Sequence, residues 1–87
     1  MMLDTIEYLK KDGNYMYYFT PTQKIMTRQS IGEALTILDH NFIQVQKSFI
    51  VNFKKINSIT SDYITIGSKQ IPIGLQFKNE LIKKMNL

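Results

Sequence analysis

Basic side chains are the clearest chemical resource in this sequence. They fall into groups: Lys10 with Lys11, Lys24 with Arg28, Lys47 with Lys54 and Lys55, and Lys78 with Lys83 and Lys84. Each can neutralise a phosphate, although a single surface lysine is by default a solvated charge. Lys47 stands apart. It lies in a polar break, Gln46-Lys47-Ser48, between the apolar stretches Phe42 to Val45 and Phe49 to Val51, where the chain is expected to turn outward. A turn held on a rigid β scaffold is a good position for a recognition side chain. Arg28 is the only arginine, so the planar fork that reads guanine through two hydrogen bonds is scarce.

The aromatic residues offer a second chemistry. Five Tyr and five Phe could stack bases. A small β domain, however, uses its aromatics mainly for core and cross-strand packing. Tyr15, directly after Gly13-Asn14, is the one expected to reach outward.

Catalytic and metal chemistry find little to work with. The chain has one histidine, His40, and no cysteine, so the usual zinc sites cannot form. His40 follows a short helical pattern, where it is expected to sit near the negative end of the helix dipole. No acidic loop marks a Ca²⁺ or Mg²⁺ site. There is no nucleophile elbow, phosphate loop or dinucleotide fingerprint. The expectation is a binding domain: not an enzyme, with no cofactor, metal or small-molecule substrate.

The 87 residues suffice for one domain, expected over 1–87. A hydrophobic fraction of 44% and a charged fraction of 21% are ordinary for a globular chain. The net charge of +4 suits a polyanionic partner and also serves solubility. The absence of cysteine fits a reducing compartment. No apolar run approaches the roughly 18 residues that span a bilayer. Met1-Met2-Leu3-Asp4-Thr5 lacks the pattern of a signal peptide. The expected location is the cytoplasm, with no membrane partner.

The elements that must position these groups read as a series of short hairpins. Leu3 to Leu9 is expected as a strand, Lys11 to Asn14 as a turn using positive φ at Gly13 and Asn14, and Tyr15 to Phe19 as the returning strand. Thr20-Pro21-Thr22-Gln23 turns the chain into a strand over Lys24 to Thr27. Ser30 and Glu33 form a capping box for a helix over Ile31 to Leu38, with Asn41 offering a left-handed exit. Phe42 to Val51 is strand-patterned around its polar break, and Asn52 to Lys55 suits one helical turn. Ile56 to Thr60, Tyr63 to Ile66 and Gln70 to Ile73 are short strands, the last held to an edge or strand end by Pro72. Gln76 to Met85 is a helix with Phe77, Leu81 and Met85 on one face and Glu80 placed to pair with Lys84. Gly32 and Gly74 suggest a tight packing contact and a strand-to-helix exit, respectively. Local hairpins dominate, so the fold class is mostly β and antiparallel, with a small central helix and a C-terminal helix.

The order of these segments resembles the LytTR family, DNA-binding output domains of many bacterial response regulators in two-component systems. The resemblance runs through Asp4 to Leu9, Gly13-Asn14-Tyr15, Ser30 to Leu35, Phe42 to Asn52, and Ile71-Pro72-Ile73-Gly74. It implies antiparallel β-sheets stacked along one axis. It also implies loops, rather than a recognition helix, set into major grooves of double-stranded DNA, often at paired direct repeats. Carried onto this chain, the reading positions are Asn14 with Tyr15, Gln46 with Lys47, and Leu75 with Gln76. Lys24, Arg28, Lys54, Lys55 and Lys78 are the expected phosphate contacts. Relative to the family, an additional first strand and a preceding receiver domain are expected to be missing.

Two reading positions depart from the family's usual residues. Gln46-Lys47 stands where His-Arg or His-Asn is common, and Gly74-Leu75-Gln76 where Ser-Arg-Arg is common. Gln can still read adenine and Lys can still meet guanine or phosphate, but Leu75 can make no such hydrogen bond. Three functions follow. The leading one is a transcriptional regulator that binds duplex DNA. The second is a protein-interaction domain or homodimer that keeps the fold and has lost sequence reading. The third is single-strand binding through the aromatics.

Overall fold

The computed structural model describes residues 3–85; Met1 and Met2, which head the stretch inspected for a signal peptide, lie outside the described residues. Eight strands and two α-helices follow one another: β1 Tyr8–Asp12, β2 Tyr15–Phe19, β3 Lys24–Arg28, α1 Ile31–Ile37, β4 Phe42–Gln46, β5 Phe49–Asn52, β6 Ser58–Ile59, β7 Tyr63–Ile66, β8 Lys69–Pro72 and α2 Lys78–Met85. Single 3-10 turns span Leu3–Thr5, Phe53–Lys55 and Leu75–Phe77. The strands form a five-stranded sheet in the order β3-β2-β1-β5-β4 and a three-stranded sheet in the order β6-β7-β8. All pairings are antiparallel. This is the mostly β, antiparallel architecture expected from the sequence. Among the described residues no helix is long and apolar enough to cross a membrane.

Period-two alternation explains the layers. Tyr8, Phe49 and Val51 point from one face of the large sheet onto Ile64, Ile66 and Ile71 of the small sheet and Leu81 of α2. Leu9, Met16, Tyr18 and Ile50 point from the other face onto Ile6 and onto Ala34 of α1. The large sheet is thus covered on both sides, and all four residues of its inner strand β5 are buried. A strand covered on both faces loses its polar alternation, which is why Phe49 to Val51 reads as a continuous apolar run.

Several local expectations need correction. The strand begins at Tyr8, because Leu3–Thr5 closes a 3-10 turn through Ile6 N–H donating to the Leu3 carbonyl at 3.1 Å. Among the described residues only Gly13 and Gly67 have positive φ, at 61° and 59°, so both tight turns carry the strain at their first residue alone. Asn14 and Asn41 keep negative φ. Asn41 instead accepts the Phe53 N–H at 2.7 Å through its carbonyl, and helix α1 leaves through an extended Leu38. Glu80 meets Lys83 at 3.7 Å rather than Lys84, whose ammonium donates to the His40 carbonyl. A Cβ on Gly32 would meet only the Ser30 hydroxyl at 3.9 Å, so the tight contact is elsewhere, at Gly74. The capping box of α1 forms as expected, with Glu33 N–H donating to Ser30 Oγ at 3.0 Å and Ser30 N–H to Glu33 Oε1 at 2.9 Å.

Candidate nucleic-acid interface

Antiparallel pairing sends alternate connections to opposite ends of the large sheet. Lys10 lies across from Phe49, and the Lys11 N–H donates to the Ser48 carbonyl at 2.7 Å. The Gly13-Asn14 turn and the Lys47-Ser48 turn therefore share one end. Arg28 joins them, because its register partner is Tyr15.

The third segment is brought in by a bulge. Between β4 and β5 the register slips from Gln44–Ile50 to Gln46–Phe49, leaving Val45 as the extra residue. Val45 buries its side chain in the core, and its carbonyl accepts the Gly74 N–H at 2.7 Å. A bulge frees such a carbonyl and re-aims the strand end. Gly74 lies so close that a Cβ there would stand 3.5 Å from Gln46 Cα and 2.9 Å from the Phe77 ring. Only glycine leaves this gap unfilled. The 3-10 turn Leu75–Phe77 is thereby set beside the β4–β5 turn. Gln46, Lys47, Gly74, Leu75, Gln76 and Phe77 line a shallow hollow of about 400 Å³.

Side chains within the cluster differ in freedom. Gln46 Oε1 accepts the Ser48 N–H at 2.7 Å, and Gln44 Nε2 donates to the carbonyl oxygens of Gln46 and Lys47 at 3.3 and 3.4 Å. Gln46 thus fastens its own turn and keeps its Nε2 donors for a partner. Lys47, Gln76, Asn14 and Tyr15 are exposed. A second hollow, about 350 Å³, is lined by Lys11, Asn14, Arg28, Gln29, Ser30 and Glu33. The Lys11 ammonium donates to the Gly13 carbonyl and braces this turn. The sequence groups Lys11 with Lys10 as a possible phosphate neutraliser but does not place it beside Arg28, and it gives Gln29 no part; only strand register, beyond Lys10 and Arg28, could have signalled that placement. Hydrogen bonding of the Glu33 carboxylate to the Ser30 backbone and hydroxyl holds its pKa below the usual glutamate value. Tyr18 donates to Gln29 Oε1; burial raises its pKa, and that hydrogen bond opposes the rise.

The remaining expected phosphate contacts do not join the cluster. Lys24 is level with Phe19 and hence with Tyr8 and Val51, at the opposite end of the sheet, where its ammonium lies 5.3 Å from the Tyr17 ring centroid. Lys54 and Lys55 follow Asn52 at that same far end and are exposed. Lys78 lines a separate apolar groove with Ile59, Ile73, Leu81, Ile82 and Met85. The aromatics divide in part as expected: Tyr8, Tyr18, Phe42 and Phe49 are buried, Tyr8 and Phe19 stack at 4.4 Å, and Tyr15 is 42% exposed, but Tyr63 on the small sheet is also exposed, at 46%.

A large antiparallel sheet covered on both faces, packed on a smaller one and gathering polar and cationic turns at one end, defines a small β domain. The model of the LytTr DNA-binding domain matches residues 1–86, and the chain belongs to that family. This is a DNA-binding family rather than an enzyme family, and DNA is the partner it implies. Among solved structures, the chain is similar to the LytTr DNA-binding domain of a Bacillus cereus protein described as a methyl-accepting/DNA response regulator. The TM-score is 0.92 at 19% identity, over 100% of this chain and 86% of that one. At this identity the likeness speaks for the fold alone. A search of the curated proteins finds no match.

Proposed function

We propose that the chain is a transcriptional regulator domain that grips duplex DNA with the turn end of its large sheet. Asn14, Tyr15, Lys47 and Gln76 reach base edges in the major groove, and Gln46 contributes its Nε2 donors while fastening its turn. The observation that carries this reading is the convergence of three separate segments, Asn14-Tyr15, Gln46-Lys47 and Leu75-Gln76, on one end. Arg28 and Lys11 flank the same end and suit phosphate oxygens. Lys24, Lys54, Lys55 and Lys78 act chiefly through the long-range field, which draws a polyanion to a cationic domain. Two chains on paired direct repeats, bound side by side or as a homodimer, complete the proposal.

Selection from a randomised duplex pool tests it, followed by anisotropy titration of the enriched sequence. Enrichment of a repeated motif and affinity that falls steeply with salt are expected. No binding to any duplex at about 50 mM salt, where phosphate contacts act most strongly, contradicts it.

One observation favours a second reading, a protein-interaction domain. Ile82 and Met85 are 51% and 48% exposed on the groove that Ile59, Ile73 and Leu81 complete. Light scattering decides between them: a strict monomer that binds DNA selectively removes the interaction reading.

A further inference from the structure

Leu75 is 83% exposed, the most exposed large apolar side chain among the described residues. A lone exposed leucine is ordinary on a protein surface. Its company distinguishes this one. The hollow it borders is lined otherwise by Gln46, Lys47, Gly74, Gln76 and Phe77, with no carboxylate to repel a polyanion. Among the described residues no other exposed large apolar side chain borders that hollow. The Gln76 side chain is exposed beside it and makes no hydrogen bond among the described residues. The two residues open the rigid turn that Gly74 docks on Val45.

We propose that Leu75 and Gln76 read an A·T step in the major groove. This deepens the duplex-DNA reading above and rests on it. Thymine alone presents a methyl group in that groove, and an apolar side chain recognises it by contact. Adenine presents N7 and N6 side by side, the acceptor and donor that a free glutamine amide matches with two hydrogen bonds. Adjacent residues bearing these two chemistries fit neighbouring positions of an A·T step. Gln46, whose Oε1 already holds Ser48 N–H, is the poorer adenine reader of the pair. A protein partner is a weaker fit to this hollow, because one exposed leucine beside a partly buried Phe77, rimmed by Gln and Lys, lacks the clustered exposed aromatic or Arg anchors of an interface hot spot.

The test uses the duplex that the chain itself enriches from a randomised pool. Each thymine is replaced in turn by deoxyuridine, which removes only the methyl. At one position the wild-type Kd should rise about fourfold, the worth of one buried methyl-sized group. Leu75→Ala should bind more weakly and become indifferent to that same replacement. Leu75→Arg should also lose the methyl sensitivity and shift the preferred base there toward guanine. Both variants change an exposed side chain, and thermal melting checks that they fold. If the wild type binds selectively yet ignores every deoxyuridine, or if Leu75→Ala keeps the penalty, the A·T assignment falls while DNA reading stands. If Leu75→Ala leaves DNA affinity unchanged and abolishes self-association, Leu75 belongs to a protein interface and the assignment also falls. If no duplex binds at all, the DNA reading and the assignment fall together.

Discussion

Gly74 makes room for the Phe77 ring: a Cβ on Gly74 would stand 2.9 Å from that ring, while meeting Gln46 Cα at an ordinary 3.5 Å. The φ of Gly74 is an ordinary −72°, so space, not backbone freedom, demands glycine here. Gly74→Ala should force the partly buried Phe77 ring aside and cost about 1 kcal/mol, the low end for overpacking. Gly74→Ser, which restores the family's common residue, should cost at least as much. The midpoint of denaturant unfolding measures both.

Asn52 is the buried polar side chain among the described residues, 2% exposed. Its Nδ2 donates to the Ile6 carbonyl at 2.8 Å, and its Oδ1 accepts the Lys54 N–H at 3.1 Å. It ties the entry to β1 to the turn after β5. Asn52→Ala strands a buried carbonyl and should cost about 1–3 kcal/mol. Asn52→Asp should cost more still, since a carboxylate cannot donate to Ile6. Urea unfolding at constant m-value checks both substitutions.

Much of the fold was legible in the sequence because its signals are local. Gly13 and Gly67 supply the positive φ that tight hairpins need, and Ser30 with Glu33 declares the start of α1. The 3-10 turn Leu3–Thr5 is not legible, because neither face of Leu3 to Leu9 is cleanly apolar and a 3-10 turn leaves no periodic trace. The Val45 bulge was also hidden, since one extra residue in β4 merely blurs the alternation. The candidate site was legible only through resemblance. Its three segments are far apart in sequence, and antiparallel pairing decides which turns share an end. That decision also separates Lys24, Lys54 and Lys55 from Arg28 and Lys47, a split that charge alone could not reveal.

Salt dependence should follow this split. Lys47→Ala and Arg28→Ala should each weaken DNA binding and reduce the slope of log K against log salt by about 1. Lys54→Ala and Lys55→Ala, at the far end, should leave the slope nearly unchanged. Anisotropy titrations of one duplex between about 50 and 200 mM salt provide the comparison. Equal slope losses at the two ends would count against a single DNA-binding end.

Stability should fall at both pH extremes for identifiable reasons. Burial raises the pKa of Tyr8 and Tyr18, with the Glu7 charge adding to the rise at Tyr8. The neutral phenols therefore favour the folded state, fully below about pH 10, and that stability is lost as pH rises beyond it. Glu33 acts in the opposite sense. Its pKa is lowered by the Ser30 hydrogen bonds, so its contribution is present above about pH 4.3 and lost as pH falls below. Tyr18→Phe should reduce the alkaline loss and Glu33→Gln the acid loss in thermal melts across pH.

Amide mapping by NMR reaches the central claim most directly. A selected duplex is titrated into the isotopically labelled chain at low salt. Perturbations should concentrate at Asn14, Tyr15, Arg28, Gln46, Lys47, Leu75 and Gln76, and spare Lys24, Lys54 and Lys55. Perturbations centred instead on the Thr20 to Gln23 turn and Phe53–Lys55, or on the groove of Ile59, Ile82 and Met85, would contradict DNA recognition through the turn end.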